Sequence, residues 1–254
     1  MAKQKSRADQ LVHEQGLADT WERATRLIMA GQVRVTVDGK ETPVDKPGRL
    51  FGPEAVFAVD QGERYVSRGG GKLETAIEAF GLDLAGLTAL DAGASTGGFT
   101  DCLLQHGVVR VYAVDVGTAQ LHEKLRADPR VVSMEQVNLR HAPADLLPEA
   151  VDVVVADVSF ISLTKVLPAC LRFLKPGGRV VALVKPQFEL SPDKVGKGGV
   201  VREAAFQQEA VDKVLDFARD ELSLTAVGVV PSKVKGPKGN QEYLAVFVAS
   251  PPTP

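Results

Sequence analysis

Short apolar segments alternate with helical segments over most of the chain, and this alternation constrains the fold more than any other feature. The strand candidates lie at 87–90, 108–114, 131–137, 151–156 and 179–184. The clearest helix between them is expected over 163–174. Because parallel strands need long, usually helical crossovers, this order predicts an α/β fold with a doubly wound, mostly parallel sheet covered by helices on both faces.

The C-terminal part of the chain departs from this alternation. Two strands are expected at 224–230 and 242–248, after a long helix around 206–217, and no helix separates them. Strands joined without a crossover helix pair antiparallel. The sheet is therefore expected to be mostly parallel with an antiparallel last strand.

The N-terminal part is expected to form a small α+β domain of its own. Two short helices begin it, and the second should be capped by Asp19 or Thr20 and end at Gly31. Alternating valines at 33–37 then predict a strand, and the pair Asp38-Gly39 is a strong signal for a hairpin turn. Such a unit has little core by itself, since domains this small are marginally stable.

The predicted domain boundaries follow from this division. Residues 1–60 would form the small domain, and 61–71, rich in glycine and charge, would form a linker. Residues 72–254 would form the α/β domain. It would open with a helix at 73–80 that stops at Gly81.

Composition limits the class of protein. The chain has 254 residues, 44% hydrophobic and 24% charged, which is typical of globular proteins. Its two cysteines, Cys102 and Cys170, are too few for a disulfide scaffold and fit a reducing compartment. No apolar run approaches the roughly 20 residues needed to cross a bilayer, and no secretory signal is found. We expect a cytoplasmic protein with no membrane partner and, because its histidines lack ligand spacing, no metal.

A glycine-rich turn leaves the first strand of the predicted sheet and opens a helix. Its sequence is Asp91-Ala92-Gly93-Ala94-Ser95-Thr96-Gly97-Gly98-Phe99. Glycines let the backbone pass close to a ligand, and the start of a helix offers unpaired N–H groups. The next strand ends at Asp115, where a carboxylate usually binds the ribose hydroxyls of a nucleotide cofactor. The alternative is a turn that packs without any ligand.

The spacing of this turn separates three kinds of nucleotide site. A P-loop would end in Gly-Lys-Ser/Thr, which is absent, and the dinucleotide pattern G-x-G-x-x-G is replaced by G-x-x-x-G-G. The pattern Asp-x-Gly-x-x-x-Gly resembles the first motif of S-adenosylmethionine-dependent methyltransferases. Their Rossmann-like sheet also has an antiparallel last strand.

Four charged residues are expected near the cofactor crevice. Asp157 and Lys185 end the fourth and fifth strands, Glu242 starts the antiparallel last strand, and Lys72 opens the helix before the first strand. Ligands of open α/β sheets bind at the carboxyl ends of the parallel strands, which is the edge where these residues should meet. Each alone could be a turn cap or a solvated charge. Together they predict a site where a lysine, oriented by carboxylates, helps to remove a hydroxyl proton.

Longer motifs surround these residues. They are Ser-Arg-Gly-Gly-Gly-Lys-Leu (67–73), Asp-Ala-Gly-Ala-Ser-Thr-Gly-Gly-Phe-Thr-Asp (91–101), Val-Lys-Pro-Gln-Phe-Glu (184–189), Gly-Lys-Gly-Gly-Val-Val-Arg (196–202) and Gly-Asn-Gln-Glu-Tyr-Leu (239–244). They resemble the TlyA family of hemolysin-like rRNA methyltransferases. Lys72, Asp157, Lys185 and Glu242 match the Lys-Asp-Lys-Glu tetrad of FtsJ-like ribose 2′-O-methyltransferases. The N-terminal domain is similar to the RNA-binding domain first seen in ribosomal protein S-four.

The resemblance implies S-adenosylmethionine-dependent 2′-O-methylation of ribosomal RNA, on cytidine, with rRNA or ribosomal subunits as partner. Lys185 would be the base or the orienting group, supported by the other three tetrad residues. The residues expected to hold the cofactor are Asp91, Gly93, Ala94, Ser95, Thr96, Gly97, Asp115 and Asn138.

Basic residues provide the expected RNA contacts. They are Arg7, Arg23, Arg26, Lys40, Arg68, Lys194, Lys197, Arg202, Lys233, Lys235 and Lys238. The net charge of −2 is unusual for a nucleic-acid binder, so what matters is whether the fold gathers these residues on one face. Folded RNA is recognised largely through shape, phosphate and 2′-hydroxyl contacts, which local basic loops can supply. Solvated loops are the other interpretation of these clusters.

Three other functions stay open at this point. A non-catalytic RNA-binding or ribosome-assembly protein could retain a cofactor fold. A methyltransferase could act on a protein or a small molecule, although the N-terminal domain disfavours this. A pore-forming hemolysin is suggested only by the older name of the family, and no membrane-spanning run supports it.

Overall fold

The computed structural model describes residues 5–60, 62 and 64–250, and it divides the chain into two compact units, Met1–Arg64 and Tyr65–Pro254. The first unit contains β1 (Ser6–Arg7), α1 (Ala8–Glu14), α2 (Trp21–Met29), β2 (Val33–Val37), β3 (Lys40–Pro43), β4 (Leu50–Phe51) and β5 (Val56–Val59). Its main sheet has the order β3-β2-β5, and β1 pairs with β4 separately.

The helix cap and the hairpin turn expected in the first unit are both present in the structure. The side chain of Thr20 caps α2 by accepting a hydrogen bond from the Arg23 backbone N–H. Asp38 and Gly39 both have positive φ, at 50° and 74°, which joins β2 to β3 as a tight hairpin. The third strand, β5, was not expected. It pairs antiparallel with β2 and helps to enclose a core that includes Ile28 and Phe57.

The second unit alternates strands and helices as predicted. Its elements are α3 (Gly69–Phe80), β6 (Thr88–Ala92), α4 (Gly98–Gln105), β7 (Arg110–Val114), α5 (Glu123–Arg126), β8 (Val131–Met134), β9 (Val151–Ala156), α6 (Leu167–Leu171), β10 (Leu174–Val184), α7 (Pro186–Glu189), α8 (Ala204–Asp220), β11 (Leu224–Pro231) and β12 (Tyr243–Ala249). The strand order is β11-β12-β10-β9-β6-β7-β8. The pairs from β10 to β8 are parallel, and β12 runs antiparallel to both of its neighbours. The expected α/β sheet with an antiparallel last strand is confirmed.

The strands of this sheet are buried on both faces, which explains their continuous apolar sequences. Along β9, Val153 and Val155 belong to one hydrophobic cluster, and Val154 and Ala156 belong to the other. The first cluster packs under α3 and α4, and the second packs under α6 and α8.

The expected helix over 163–174 is wrong. The chain instead forms a 3₁₀ turn at Leu163–Lys165 and the short helix α6, and Leu174 already belongs to β10. Leu174 pairs with Val151, whose N–H donates to the Phe173 carbonyl at 2.8 Å. Pairing with β9 therefore determines the structure at the end of the expected helix, although the residues there have helical spacing.

The expected linker over 61–71 also differs from the structure. Residues 65–71 belong to the second unit, where Tyr65 is buried and α3 begins at Gly69 instead of 73. Gly70 lies flush against the Tyr65 ring, so that a Cβ at this position would overlap the ring. The α/β unit thus starts at Tyr65 instead of 72. In the described part of the chain, no helix is both long and apolar enough to span a membrane.

Gly70→Ala tests the packing of this segment. We expect a loss of about 1–3 kcal/mol in the free energy of unfolding, because the new methyl group must displace the Tyr65 ring. Alanine normally stabilises a helix by about 1 kcal/mol relative to glycine, so a loss has the opposite sign to the helix propensity. Urea denaturation measures it, with Gly71→Ala as the control because its Cβ would meet only the end of the Val234 side chain. A stabilised Gly70→Ala protein would contradict the packing.

Candidate active site

The glycine-rich turn joins β6 to α4 and passes very close to the end of β9. Gly93 has φ 86°, and a Cβ on it would lie 2.6 Å from the carbonyl oxygen of Asp157. The N–H groups of Gly93 and Ala94 both donate to the Val114 carbonyl, at 2.9 and 3.1 Å. Glycine is required at position 93 for both backbone conformation and space.

Asp115, just after β7, fixes the turn. Its Oδ2 accepts from the Ser95 backbone N–H at 2.8 Å, and its Oδ1 accepts from the Gly117 N–H at 2.7 Å. A carboxylate has about four lone-pair sites, so Asp115 keeps acceptor capacity for the ribose hydroxyls predicted to bind there. In the structure, the Asp115 carboxylate stabilises the glycine-rich turn through its hydrogen bond to Ser95.

A cavity of about 510 Å³, here called the turn cavity, opens beside this turn. It is lined by Gly93, Ser95, Asp115 and Asn138, four of the residues predicted to hold the cofactor. Further wall residues are mostly apolar: Val114, Val116, Val137, Leu139, Val158, Phe160, Ile161 and Val166. Ligand sites are typically concave and apolar with a few placed polar groups, at about 300–1,000 Å³. The cavity fits a nucleoside-sized ligand.

A second, smaller cavity adjoins the first. This lysine cavity, of about 250 Å³, is lined by Lys72, Asp157 and Lys185 of the predicted tetrad. It shares Gly93, Ser95, Asp157 and Ser159 with the turn cavity. Ala94, Thr96 and Arg68 also line it. A group bound in one cavity can therefore reach a group bound in the other.

The four tetrad residues form two ion pairs at this edge of the sheet. Lys185 Nζ lies 2.6 Å from Asp157 Oδ1 and donates to Ser159 Oγ at 2.8 Å. Lys72 Nζ lies 2.7 Å from Oε2 of Glu242, which is fully buried. Removing one partner of such a pair leaves an uncompensated buried charge, at a cost of about 3–5 kcal/mol.

The sheet register explains why these charges meet. Val184 pairs with Tyr243, so Lys185 and Glu242 leave β10 and β12 side by side. Ala182 pairs with Ala156, which brings Asp157 to the same edge. Ser159 was not among the predicted residues. Its position two residues beyond Asp157, in the loop after β9, was the only signal for it.

Two of the residues predicted to hold the cofactor line neither cavity and instead face the protein core. Asp91 is completely buried and accepts a hydrogen bond from Thr100 Oγ1 at 2.7 Å. Gly97 has φ 96°, and the space where its Cβ would be is filled by Leu121 and Leu125. Both residues shape the turn from within the core. Asn138 lines the turn cavity, and its Oδ1 accepts from the Arg140 N–H, which orients the amide.

The predicted RNA-contact residues are distributed over both units. Those at the surface of the first unit are Arg7, Arg23, Arg26 and Lys40, and those at the surface of the second are Arg68, Lys197, Arg202, Lys233, Lys235 and Lys238. Three of the cations have acidic partners: Arg7 pairs with Asp9, Lys194 with Glu209, and Lys233 with Glu78. These three are partly neutralised within the protein.

Two of the basic loops are joined to each other. Asn240 is buried, and its side chain accepts from the Val201 N–H at 3.0 Å and donates to the Gly199 carbonyl at 2.8 Å. Lys238 Nζ donates to the Gly198 carbonyl at 2.8 Å. The 196–202 loop and the 236–240 loop therefore form one surface, and Pro237 extends it to the lysine cavity.

The described residues contain no group of three or more side chains that could hold a metal ion. What the structure does contain is a seven-stranded sheet with an antiparallel last strand, a glycine turn after β6 and an acidic residue after the next strand, β7. This combination defines a Rossmann-like methyltransferase.

Comparison with known proteins gives the family. The model of the FtsJ-like methyltransferases matches residues 65–248, so the chain belongs to this family. It is a methyltransferase, and S-adenosylmethionine is its methyl donor, as the sequence predicted. The match coincides with the second structural unit.

Three relatives illustrate the similarity. The 16S/23S rRNA (cytidine-2′-O)-methyltransferase TlyA of Mycobacterium tuberculosis is 44% identical over 94% of this chain and 88% of its own. Hemolysin A of Brachyspira hyodysenteriae is 40% identical over 95% of this chain and 99% of its own. A solved structure named "Putative hemolysin from Streptococcus thermophilus" has a TM-score of 0.72 and 44% identity, and it covers 98% of this chain and 90% of its own. The resemblance to the TlyA family is confirmed.

Asp91 makes the stability of this site dependent on pH. Burial raises the pKa of its carboxyl group to about 7, against about 3.9 in an unfolded chain. Between these values the folded state binds more protons than the unfolded state, so the free energy of unfolding should fall as the pH rises from about 4 to 7. The contribution is at most about 4 kcal/mol.

Asp91→Asn should remove this dependence, because an amide still accepts from Thr100 but does not titrate. The variant is expected to gain stability over the wild type progressively from pH 5 to pH 8, as measured by urea denaturation at each pH. If the free energy of unfolding varies with pH in the same way for the two proteins, the raised pKa of Asp91 is contradicted.

Proposed function

We propose that this protein transfers a methyl group from S-adenosylmethionine to the ribose 2′-hydroxyl of a cytidine in ribosomal RNA. The observation that carries the proposal is the position of Lys185. Its ammonium group is held by Asp157 and Ser159 where the turn cavity meets the lysine cavity. The names of the TlyA relatives, 44% identical, support ribosomal RNA and cytidine as substrate.

The turn cavity offers the groups that the cofactor needs. Asp115 has acceptor sites for ribose hydroxyls, Asn138 has an oriented amide, and the walls between them are apolar. The absence of a side chain at Gly93 lets a ligand approach the backbone closely. When bound, S-adenosylmethionine supplies a methyl group attached to a positively charged sulfur. Of the residues predicted to hold it, we assign direct contact to those that line the two cavities.

The lysine cavity would receive the ribose. Lys185 is placed to orient the 2′-oxygen and, as the neutral amine after its ammonium group has released a proton, to accept the hydroxyl proton. Asp157 and Ser159 fix the direction of its side chain. Lys72 also lines this cavity, and its ammonium group pairs with the buried Glu242 carboxylate. Holding the two reacting groups in line accounts for a large part of the rate enhancement in reactions of this kind.

We further propose that the first unit docks on folded rRNA, in the cytoplasm where ribosomal subunits are assembled. Exposed Arg23 and Arg26 on α2, with Lys40 at the β2–β3 turn, would contact phosphates. The joined 196–202 and 236–240 loops would contact RNA beside the lysine cavity.

Lys185→Ala is the decisive variant for this proposal. With labelled S-adenosylmethionine and ribosomal subunits or free rRNA, the wild type should produce a ribose methyl group that resists alkaline hydrolysis. The variant should lose about 10²- to 10⁴-fold in kcat, the usual range for a proton-transfer group, and retain cofactor binding in calorimetry.

The matched control is Lys175→Ala. Lys175 also lies on β10 and also pairs with an aspartate of β9, Asp152, at 2.7 Å, but at the other end of both strands. It should leave kcat unchanged. Full methylation by the Lys185→Ala protein, or no transfer by the wild type to any form of rRNA, would refute the proposal. The second outcome would favour a non-catalytic RNA-binding role.

A further inference from the structure

We propose that Glu189 is a positioning residue for methyl transfer, acting through the post-β9 segment, defined here as residues 157–162. The inference rests on the proposed function, because that segment carries Asp157 and Ser159. Glu189 is the last residue of α7, and its side chain is almost completely buried. The two carboxylate oxygens both bind the far end of the segment. Oε2 accepts from Ser162 Oγ at 2.5 Å, and Oε1 accepts from the Leu163 N–H at 2.8 Å.

These contacts tie the post-β9 segment to the chain around Lys185 at two points. Lys185 immediately precedes α7, and Glu189 ends it four residues later. The same two stretches of chain therefore meet twice, once where Lys185 binds Asp157 and Ser159, and once where Glu189 binds Ser162 and Leu163. With both junctions in place, the segment cannot shift without breaking a buried hydrogen bond. Breaking such a bond leaves a buried donor or acceptor without a partner, and that group's desolvation is then not compensated.

The segment needs this restraint because its backbone is strained. Phe160 has φ 64°, a left-handed conformation that is unfavourable for a residue with a bulky side chain. Phe160 is 90% exposed, so burial of its own side chain contributes little free energy to offset the backbone strain. Strained residues persist only where the surroundings determine them. β9 ends at Ala156, and the Asp157 N–H makes one more hydrogen bond to the sheet, to the Ala92 carbonyl at 3.0 Å. Glu189 provides the restraint at the other end of the segment.

A second contact keeps Glu189 itself in place. Lys213 of α8 donates through Nζ to the Glu189 carbonyl oxygen, and the same Nζ lies 3.9 Å from Oε2. The carboxylate thus has defined partners on α8, on the 3₁₀ turn and in the segment. A role limited to satisfying a buried charge would affect stability alone. A positioning role would also affect kcat.

The experiment compares Glu189→Ala with Glu189→Gln and with a control, Asp152→Ala. Asp152 is a half-buried carboxylate that also accepts from a backbone N–H, that of Thr88 at 2.9 Å, and from Lys175 Nζ at 2.7 Å, at the opposite end of β9. Glu189→Ala should lower kcat by about 10- to 100-fold, the effect of a displacement of about 1 Å. The Kd for S-adenosylmethionine should rise by a smaller factor than kcat falls, because Gly93, Asp115 and Asn138 lie on other elements and only part of the turn cavity wall belongs to the segment.

Glu189→Gln should restore kcat to within about threefold of the wild type, since its amide can accept from Leu163 and donate to Ser162. Asp152→Ala should lower the Tm and leave kcat intact. The inference is overturned if Glu189→Ala keeps the wild-type kcat. It is also overturned if Asp152→Ala loses kcat equally, or if the whole loss lies in cofactor affinity. Should Glu189→Ala fail to fold, Ser162→Ala removes one of the two hydrogen bonds that Glu189 accepts there, and its kcat should fall by at least about threefold.

Hydrogen exchange separates this inference from the proposed function. Amide exchange over 157–163 should be faster in Glu189→Ala and unchanged in Asp152→Ala, even with no RNA present. If the wild type methylates no RNA, the proposed function fails, and the exchange result still decides the placement of the segment. Unchanged exchange in Glu189→Ala would overturn the inference even for an active enzyme.

Discussion

The contact between Gly93 and Asp157 is the constraint on which the site depends. β6 and β9 are neighbours in register, with Ala92 paired to Ala156, so both chains leave the sheet at the same level. The Asp157 N–H donates to the Ala92 carbonyl at 3.0 Å, and the Asp157 carbonyl oxygen occupies the position that a side chain at 93 would need. This approach brings the turn and the Asp157 carboxylate, which we propose is part of the catalytic site, together. Gly93 and Asp157 consequently lie on the walls of both cavities.

The charges at this edge differ in their burial from a similar pair at the opposite edge. Lys175 and Asp152 pair at 2.7 Å where β10 and β9 begin, with 44% of the lysine side chain exposed. Lys185 and Asp157 pair at 2.6 Å just beyond the ends of the same strands, with 8% of the lysine side chain exposed. Burying a charged pair costs desolvation that its attraction often fails to repay. We therefore propose that the buried pair serves the chemistry of the site and not stability.

Much of the fold could be predicted because the local signals agree with the tertiary structure. The strands at 151–156 and in the central sheet are apolar on both faces, which only a sheet covered on both sides explains. The meeting of Asp157 and Lys185 followed from strand direction alone. Asp115 was also placed correctly at the turn, although its hydrogen bonds to the backbone were not foreseen.

The remaining features depend on contacts between distant residues. Leu174 has helical spacing with the residues before it, but Val151 recruits it into the sheet. Tyr65 belongs to the α/β unit because its ring packs against Gly70, and a glycine-rich sequence gives no sign of that partner. Glu189 is a single charge after a short apolar stretch. Its role depends on Ser162 and Leu163, 27 and 26 residues earlier, which no local pattern connects to it.

We propose that the absence of a side chain at Gly93 creates the cofactor site, and Gly93→Ala tests this most directly. Calorimetric titration with S-adenosylmethionine would be compared with the same titration of Gly81→Ala. Gly81 also has positive φ, at 59°, but a Cβ there meets no atom within 4 Å. We expect Gly93→Ala, shown to be folded by circular dichroism, to bind the cofactor at least about 100-fold more weakly, a loss of about 2.7 kcal/mol in binding free energy, and Gly81→Ala to bind it normally. Unchanged binding by folded Gly93→Ala would contradict the account.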